Sequence, residues 1–248
     1  SGIVSTLQGR KIAVFFSGRK HAGENLAEVL RERAADLEPP IQMCDALSRN
    51  LPGELKTIVA NCLAHGRRYF VEELERFRDE SLYVIKALKV IYKNDATARK
   101  QNMSSQERLR FHQANSGPVM GELQNWLHRQ LDDRLVEPNS SLGEAITYML
   151  KHWNKLTLFL RKAGAPLDNN ICERALKKAI LHRKNAYFFR SQKGAHTADV
   201  FMSLIYTCEL CGASPFDYLT QLQRHAEEVA ASPQDWMAWN YQQTPASV

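Results

Sequence analysis

Apolar residues near the start of the chain recur with the period of a strand. Ile3–Thr6 and Ile12–Phe16 are short apolar runs, the second with Ile12, Val14 and Phe16 alternating, and Gln8-Gly9 between them predicts a hairpin turn. The period then changes to that of a helix at Ala22, Leu26, Val29, Leu30 and Arg33, and Pro39-Pro40 ends it. Ile41–Cys44 reads as a short buried strand ending at Asp45, and Thr57–Cys62 as a second, β-branched one that stops before His65-Gly66. The predicted order to this point is β-β-α-β-β.

Beyond Gly66 neither Gly nor Pro occurs until Gly117, where average usage would supply about six in fifty residues, so the region is helical. Ile85, Leu88 and Tyr92 lie at i, i+3 and i+7, and Leu123, Trp126 and Leu127 resume the pattern after the break at Gly117-Pro118. Glu137-Pro138-Asn139-Ser140 marks a turn before a helix through Ile146, Met149, Leu150 and Trp153, which Gly164-Ala165-Pro166 closes. Further helices are predicted from about Asn170, over Ala195–Cys211, and from Ser214-Pro215.

Composition places these elements in a globular protein: 248 residues, 44% hydrophobic, with no window near the roughly 18 apolar residues of a membrane span. The start lacks the basic and apolar regions of a secretory signal and has no initiator Met, so the chain reads as part of something longer. Cys44, Cys62, Cys172, Cys208 and Cys211 are odd in number and scattered, which suits a reducing cytoplasm better than a disulfide framework. The net charge of +6 is unevenly spread: residues 151–200 hold 11 Lys and Arg against 3 Asp and Glu, whereas residues 201–248 hold 1 against 5. A block at +8 suits a polyanion-binding face, and charge alone does not separate that from a solvated helix surface.

Several residues could carry chemistry. Asp45 stands at the carboxyl end of a predicted strand, where open α/β sheets place reactive groups, although Asp also simply begins turns. Glu173 lies three residues after Asn170, which spells a capping box, yet Arg174, Lys177, Lys178, His182, Arg183 and Lys184 follow directly. A carboxylate at the head of the most basic helix suits a divalent cation held beside phosphates. Cys62, His65, Cys208 and Cys211 hold the atoms of a Cys₃His zinc site, but Cys208 and Cys211 are one helical turn apart on an apolar face, and buried core cysteine is the better reading. Trp236, Trp239 and Tyr241 lie in an acidic segment, which favours docking onto the core over base stacking.

The segments Ile41–Ala46, Cys62–Arg68, Asp168–Leu176 and Arg183–Asn185, in this order and spacing, resemble the transposases of the insertion-sequence-66 family, and Ser203–Ile205, Cys211–Ala213 and Pro215–Leu219 resemble that family's C-terminal part. The resemblance implies an α/β fold with a ribonuclease-H-like core, its first strand missing, a large all-helical insertion and a helical C-terminal segment. The implied divisions are 1–70 for the first part of the core, 71–160 for the insertion, 161–200 for the Glu-bearing basic helix with the remainder of the core, and 201–248 for the last segment. It implies DNA cleavage and strand transfer by an Asp-Asp-Glu triad with two Mg²⁺ ions, for which Mn²⁺ can substitute, in a nucleoid-associated cytoplasmic protein.

On that pattern Asp45 is the second acid and Glu173 the third, both metal ligands. Arg174, Lys177, Lys178, Arg183 and Lys184 contact DNA, and Cys62, His65 and Asn170 support the site. The first acid would lie on a strand upstream of Ser1: the only Asp before Asp45 is Asp36, at a predicted helix end after Ala35. The chain would thus carry two of three acids and act poorly alone. Partners implied are transposon ends and target DNA, further copies of the chain and accessory proteins of the same element. The competing reading is an inactive remnant that only binds DNA or assembles.

Overall fold

Among the described residues, four short strands and a long run of helices follow the predicted order. The computed structural model describes residues 1–7, 9–34 and 36–242. Strands β1 (Gly2–Leu7) and β2 (Arg10–Phe15) precede α1 (Ala22–Arg31), β3 (Ile41–Cys44) and β4 (Ile58–Asn61). The helical stretch runs through α2 (Leu63–Glu72), α3 (Arg78–Lys100), α4 (Ser105–Asn115), α5 (Gly117–Asp132), α6 (Ser141–Lys151) and α7 (Trp153–Leu156). After a loop come α8 (Asn170–Ala186), α9 (Gln192–Cys211), α10 (Pro215–Arg224) and α11 (Ala226–Ala231). The fold is mixed α/β with few strands: β1 and β2 pair antiparallel, β3 and β4 pair parallel, and the two pairs are separate sheets.

The chain divides into two compact units, residues 1–32 with 170–248, and residues 33–169. This cut differs from the boundaries expected at 70, 160 and 200, because β3 and β4 pair with each other and α7 packs against β4, which groups them with the helical block.

In the first unit the hairpin turns at Gly9, whose φ of +81° is the left-handed conformation that glycine adopts without strain; Gln8 lies outside the described residues. The expected alternation at Ile12, Val14 and Phe16 picks the less buried face. Ala13 and Phe15 are the buried pair, packed with Val4, Ala175 and Tyr206 under α8 and α9. Both faces of β2 are apolar, so period two alone could not choose between them.

Helix α9 covers the outer edge of β2. Asp199, Ser203, Thr207 and Cys211 repeat every four residues, about 6 Å along a helix, which nearly matches the about 6.8 Å of two residues on a strand. The Ser17 amide donates to Asp199 at 2.6 Å, the Phe15 amide to Ser203 Oγ at 3.0 Å and the Ala13 amide to Thr207 Oγ1 at 3.0 Å, while Cys211 Sγ donates to the Lys11 carbonyl at 3.4 Å. Side chains of one helix face therefore replace a neighbouring strand and close an edge otherwise open to pairing. Cys208 is fully buried with Tyr218, Trp236 and Tyr241, which bears out the reading as core cysteine and as a docked aromatic tail.

The second unit is built on a helical core of Leu63, Phe70, Leu88, Ile91, Met120, Leu123, Leu127, Leu142, Ile146 and Met149, none more than 1% exposed. Each such side chain contributes about 1.5–3 kcal/mol relative to exposure. The α3 stripe is Val84, Leu88, Ile91 and Ala98, one position off the predicted Ile85 and Tyr92, which flank it. At the start of α6, Ser140 caps the helix by accepting from the Gly143 amide at 3.0 Å. A Cβ on Gly143 would sit 2.2 Å from the Glu137 carbonyl and 2.6 Å from that of Pro138. Both obstacles are backbone, so Gly143→Ala loses more from the clash than it gains in helix propensity. A destabilisation of about 1–3 kcal/mol is expected in urea unfolding.

Candidate active site and nucleic-acid interface

Asp45 follows the last residue of β3, half-buried, and a chain of polar contacts fixes the loop beyond it. Thr57 Oγ1 donates to Gln42 Oε1 at 2.8 Å, Gln42 Nε2 donates to the Asn50 carbonyl at 2.6 Å, and the Asn50 amide donates to the Asp45 carboxylate. The turn reading of Asp45 is therefore met, and the carboxylate also has a side-chain donor that orients it.

Beside it the parallel partner strand ends at Asn61, and the Cys62 amide donates to the Cys44 carbonyl at 3.0 Å. Cys62 is the N-cap residue of α2 and fully buried; the Asn169 amide donates to its sulfur at 3.3 Å, and the Leu63 amide to the Leu167 carbonyl at 3.0 Å. The Cys-x-x-His signature thus ties the start of α2 to the segment leading towards α8, with His65 half-buried in the first helical turn. Burial pushes the Cys62 thiol up and, with the Asp45 charge adding to it, pushes Cys44 up to about 11.

Glu173 lies in the first turn of α8, half-buried, where the helix dipole favours an anion. The helix starts at Asn170 itself, so Asn170 is its first helical residue; it is half-buried. The same turn is anchored on β1: Cys172 Sγ donates to the Gly2 carbonyl at 3.2 Å, and a Cβ on Gly2 would come within 3.0 Å of Leu176. Asp45, Cys62 and His65 belong to the unit 33–169, and Asn170, Glu173 and the basic residues of α8 to the other.

Arg174, Lys177, Arg183 and Lys184 are exposed along α8. Lys178 differs: its ammonium pairs with Glu209 and lies 5.2 Å from the centre of the Tyr206 ring, so part of its charge is already answered within the fold.

The family described as "Transposase IS66 family" matches residues 5–197. The chain belongs to that family. The IS66 match takes in Asp45, Cys62, His65, Asn170, Glu173 and the basic residues of α8, and ends inside α9, before the 203–219 segment of the resemblance. Relatives include three proteins of Sinorhizobium fredii (strain NBRC 101917 / NGR234), each described as uncharacterized. Protein y4jD is 34% identical over 66% of this chain and 32% of its own length, y4hP 31% over 76% and 36%, and y4qI 30% over 79% and 36%. The chain therefore spans about a third of the length of these relatives. No solved structure matches it. Among the described residues no helix is long and apolar enough to cross a membrane.

The IS66 region also holds two residues that the sequence pattern did not single out. In the turn after α8, Tyr187 and Phe188 are 81% and 79% exposed. The signal was present as three consecutive aromatics, Tyr187-Phe188-Phe189, inside the basic block; it was obscured because an apolar triplet between helices ordinarily reads as core.

Proposed function

We propose that this chain is the catalytic-core part of a DNA transposase, cutting and joining strands by an Asp-Asp-Glu, Mg²⁺-dependent reaction on a ribonuclease-H-like core. The observation that carries the reading is the placement of two carboxylates within the IS66 match: Asp45 at the carboxyl end of a parallel strand pair, and Glu173 in the first turn of the basic helix α8. The succession of an antiparallel pair, a helix and a parallel pair supports the ribonuclease-H-like assignment. Among the described residues β1 pairs on one edge only, and we assign the first acid to a strand that adds to its open edge.

The donor set fits a hard cation. Asp45 and Glu173 each offer oxygen, the ligand type of Mg²⁺ and Mn²⁺. Two metal ions held by these carboxylates and the first acid would stabilise negative charge on the attacking and leaving oxygens of the phosphodiester. Asn50 orients the Asp45 carboxylate, Arg174 and Lys177 hold phosphates next to Glu173, and Cys62 with His65 fixes the start of α2. The partners are transposon ends and target DNA; the pairing of two ends requires at least two copies of the protein.

Mn²⁺ binding, followed by electron paramagnetic resonance, tests the ligand assignment. Losing one carboxylate charge about 4 Å from a dication in water costs about 2 kcal/mol, so Asp45→Asn and Glu173→Gln should each weaken binding about 30-fold. Unchanged binding in both variants refutes the assignment. Robust Mg²⁺-dependent strand transfer by the 248-residue chain alone refutes the count of two acids out of three. A remnant that binds DNA without chemistry is the competing outcome of the same test: for it Glu173→Gln changes nothing even when the first acid is supplied.

A further inference from the structure

The α8–α9 turn combines features that the proposed chemistry leaves unused. Residues 181–188 are exposed without interruption, so the end of α8 and the following turn stand in solvent. Tyr187 has φ +61°, a left-handed conformation uncommon for an aromatic residue, and its amide donates to the Arg183 carbonyl at 2.8 Å. Phe189 folds back and stacks on His182, with ring centres 5.8 Å apart and planes at 20°. That stack pins the turn from one side and leaves Tyr187 and Phe188 pointing outwards. Arg183, Lys184, Arg190 and Lys193 flank them, all exposed, and no Asp or Glu occurs between Glu173 and Asp199.

Two nearly bare aromatic rings in a stretch that carries exposed cations and no acid, with Leu181 also exposed beside them, select an occupant that is both flat and anionic. Nucleotides are both, whereas an apolar protein partner gains nothing from four cations at the rim. Bases inside a duplex are already stacked, so the rings can gain only where bases are unpaired. We infer that Tyr187 and Phe188 form a stacking platform for unpaired bases next to a DNA end, with Arg183, Lys184, Arg190 and Lys193 holding the adjoining phosphates. The inference rests on the reading of α8 as a DNA-binding helix and adds the form of DNA it prefers.

The test compares a blunt duplex with the same duplex carrying a six-nucleotide unpaired tail, using fluorescence anisotropy at fixed salt and the whole 248-residue chain. The tailed DNA should bind more tightly. The double variant Tyr187→Ala/Phe188→Ala should lose about tenfold or more on the tailed DNA and less than about twofold on the blunt one, with its thermal midpoint unchanged. A 2-aminopurine in the tail should be quenched by the unaltered chain and not by the variant. Arg183→Gln/Lys184→Gln should weaken both DNAs alike. Equal affinity of the aromatic variant and the unaltered chain for the tailed DNA overturns the platform, as does an equal loss on both DNAs. A shift of sedimentation coefficient on removing the rings, with DNA affinity unchanged, overturns it in favour of a protein interface. Absence of salt-sensitive binding to the blunt duplex overturns the DNA-binding reading of α8 itself.

Discussion

Between 50 and 200 mM salt, the affinity of the chain for duplex DNA should fall about 10³-fold if α8 binds DNA as proposed. The expectation follows from counterion release: six phosphate contacts give a slope of about −5 in log K against log salt, and a fourfold rise in salt then costs about three decades. Arg174, Lys177, Arg183, Lys184, Arg190 and Lys193 are six exposed cations within a stretch free of acids. Arg183→Gln/Lys184→Gln should flatten the slope by about two units. Lys178→Gln provides an internal contrast, because that ammonium already faces Glu209 and the Tyr206 ring. Its loss should alter the slope by well under one unit while loosening the contact between α8 and α9. Filter binding across a salt series measures both, and a slope near zero in the unaltered chain reduces the basic block to a solvated surface.

How far such residues can be foreseen depends on the range of the forces that place them. The hairpin, α1, β3 and β4 were legible because local period and the stops at Pro39-Pro40 and His65-Gly66 fix them. The long helices were legible because nothing breaks them between Gly66 and Gly117. Asp45 and Glu173 stood out by position in their elements and by resemblance to a family. What stayed hidden is long-range. That Asp199, Ser203, Thr207 and Cys211 face the edge of β2 depends on residues about 190 positions away, and on a helix repeat commensurate with a strand repeat. The choice of Ala13 and Phe15 over Ile12 and Val14 was made by α8 and α9, not by the strand. Tyr187 and Phe188 were hidden for the opposite reason: nothing covers them, which no local pattern of apolar residues reveals.

The helical unit has a hidden feature of the same kind, with a large expected effect: Asp95→Asn destabilises it by about 3–5 kcal/mol, the cost of removing one partner from a buried ionic network. Asp95 is fully buried on the core-facing stripe of α3. Its carboxylate accepts from Arg99 Nε at 2.7 Å, lies 2.6 Å from the Arg108 guanidinium, and accepts from His112 Nε2 at 3.3 Å, while His112 Nδ1 lies 2.9 Å from Ser116 Oγ. The network pins α3 to α4 across helix surfaces that would otherwise slide, and in sequence its members look like ordinary solvated charges. Burial alone would raise the Asp95 pKa, but the His112 hydrogen bond and the two guanidinium groups outweigh it and hold the carboxyl at about 2 against an ordinary 3.8. Because the folded-state value is depressed, the stabilisation is present above about pH 4 and is lost as pH falls towards 2. The shift corresponds to about 2 kcal/mol. Thermal melts should therefore show Asp95→Asn lowering the midpoint by about 10 °C near neutrality and by less at pH 3. Arg99→Ala should cost under about 1 kcal/mol, since the Arg99 side chain is 65% exposed. Equal destabilisation by Asp95→Asn at pH 7 and pH 3 would mean that the charge contributes nothing and that shape alone holds α3 against α4.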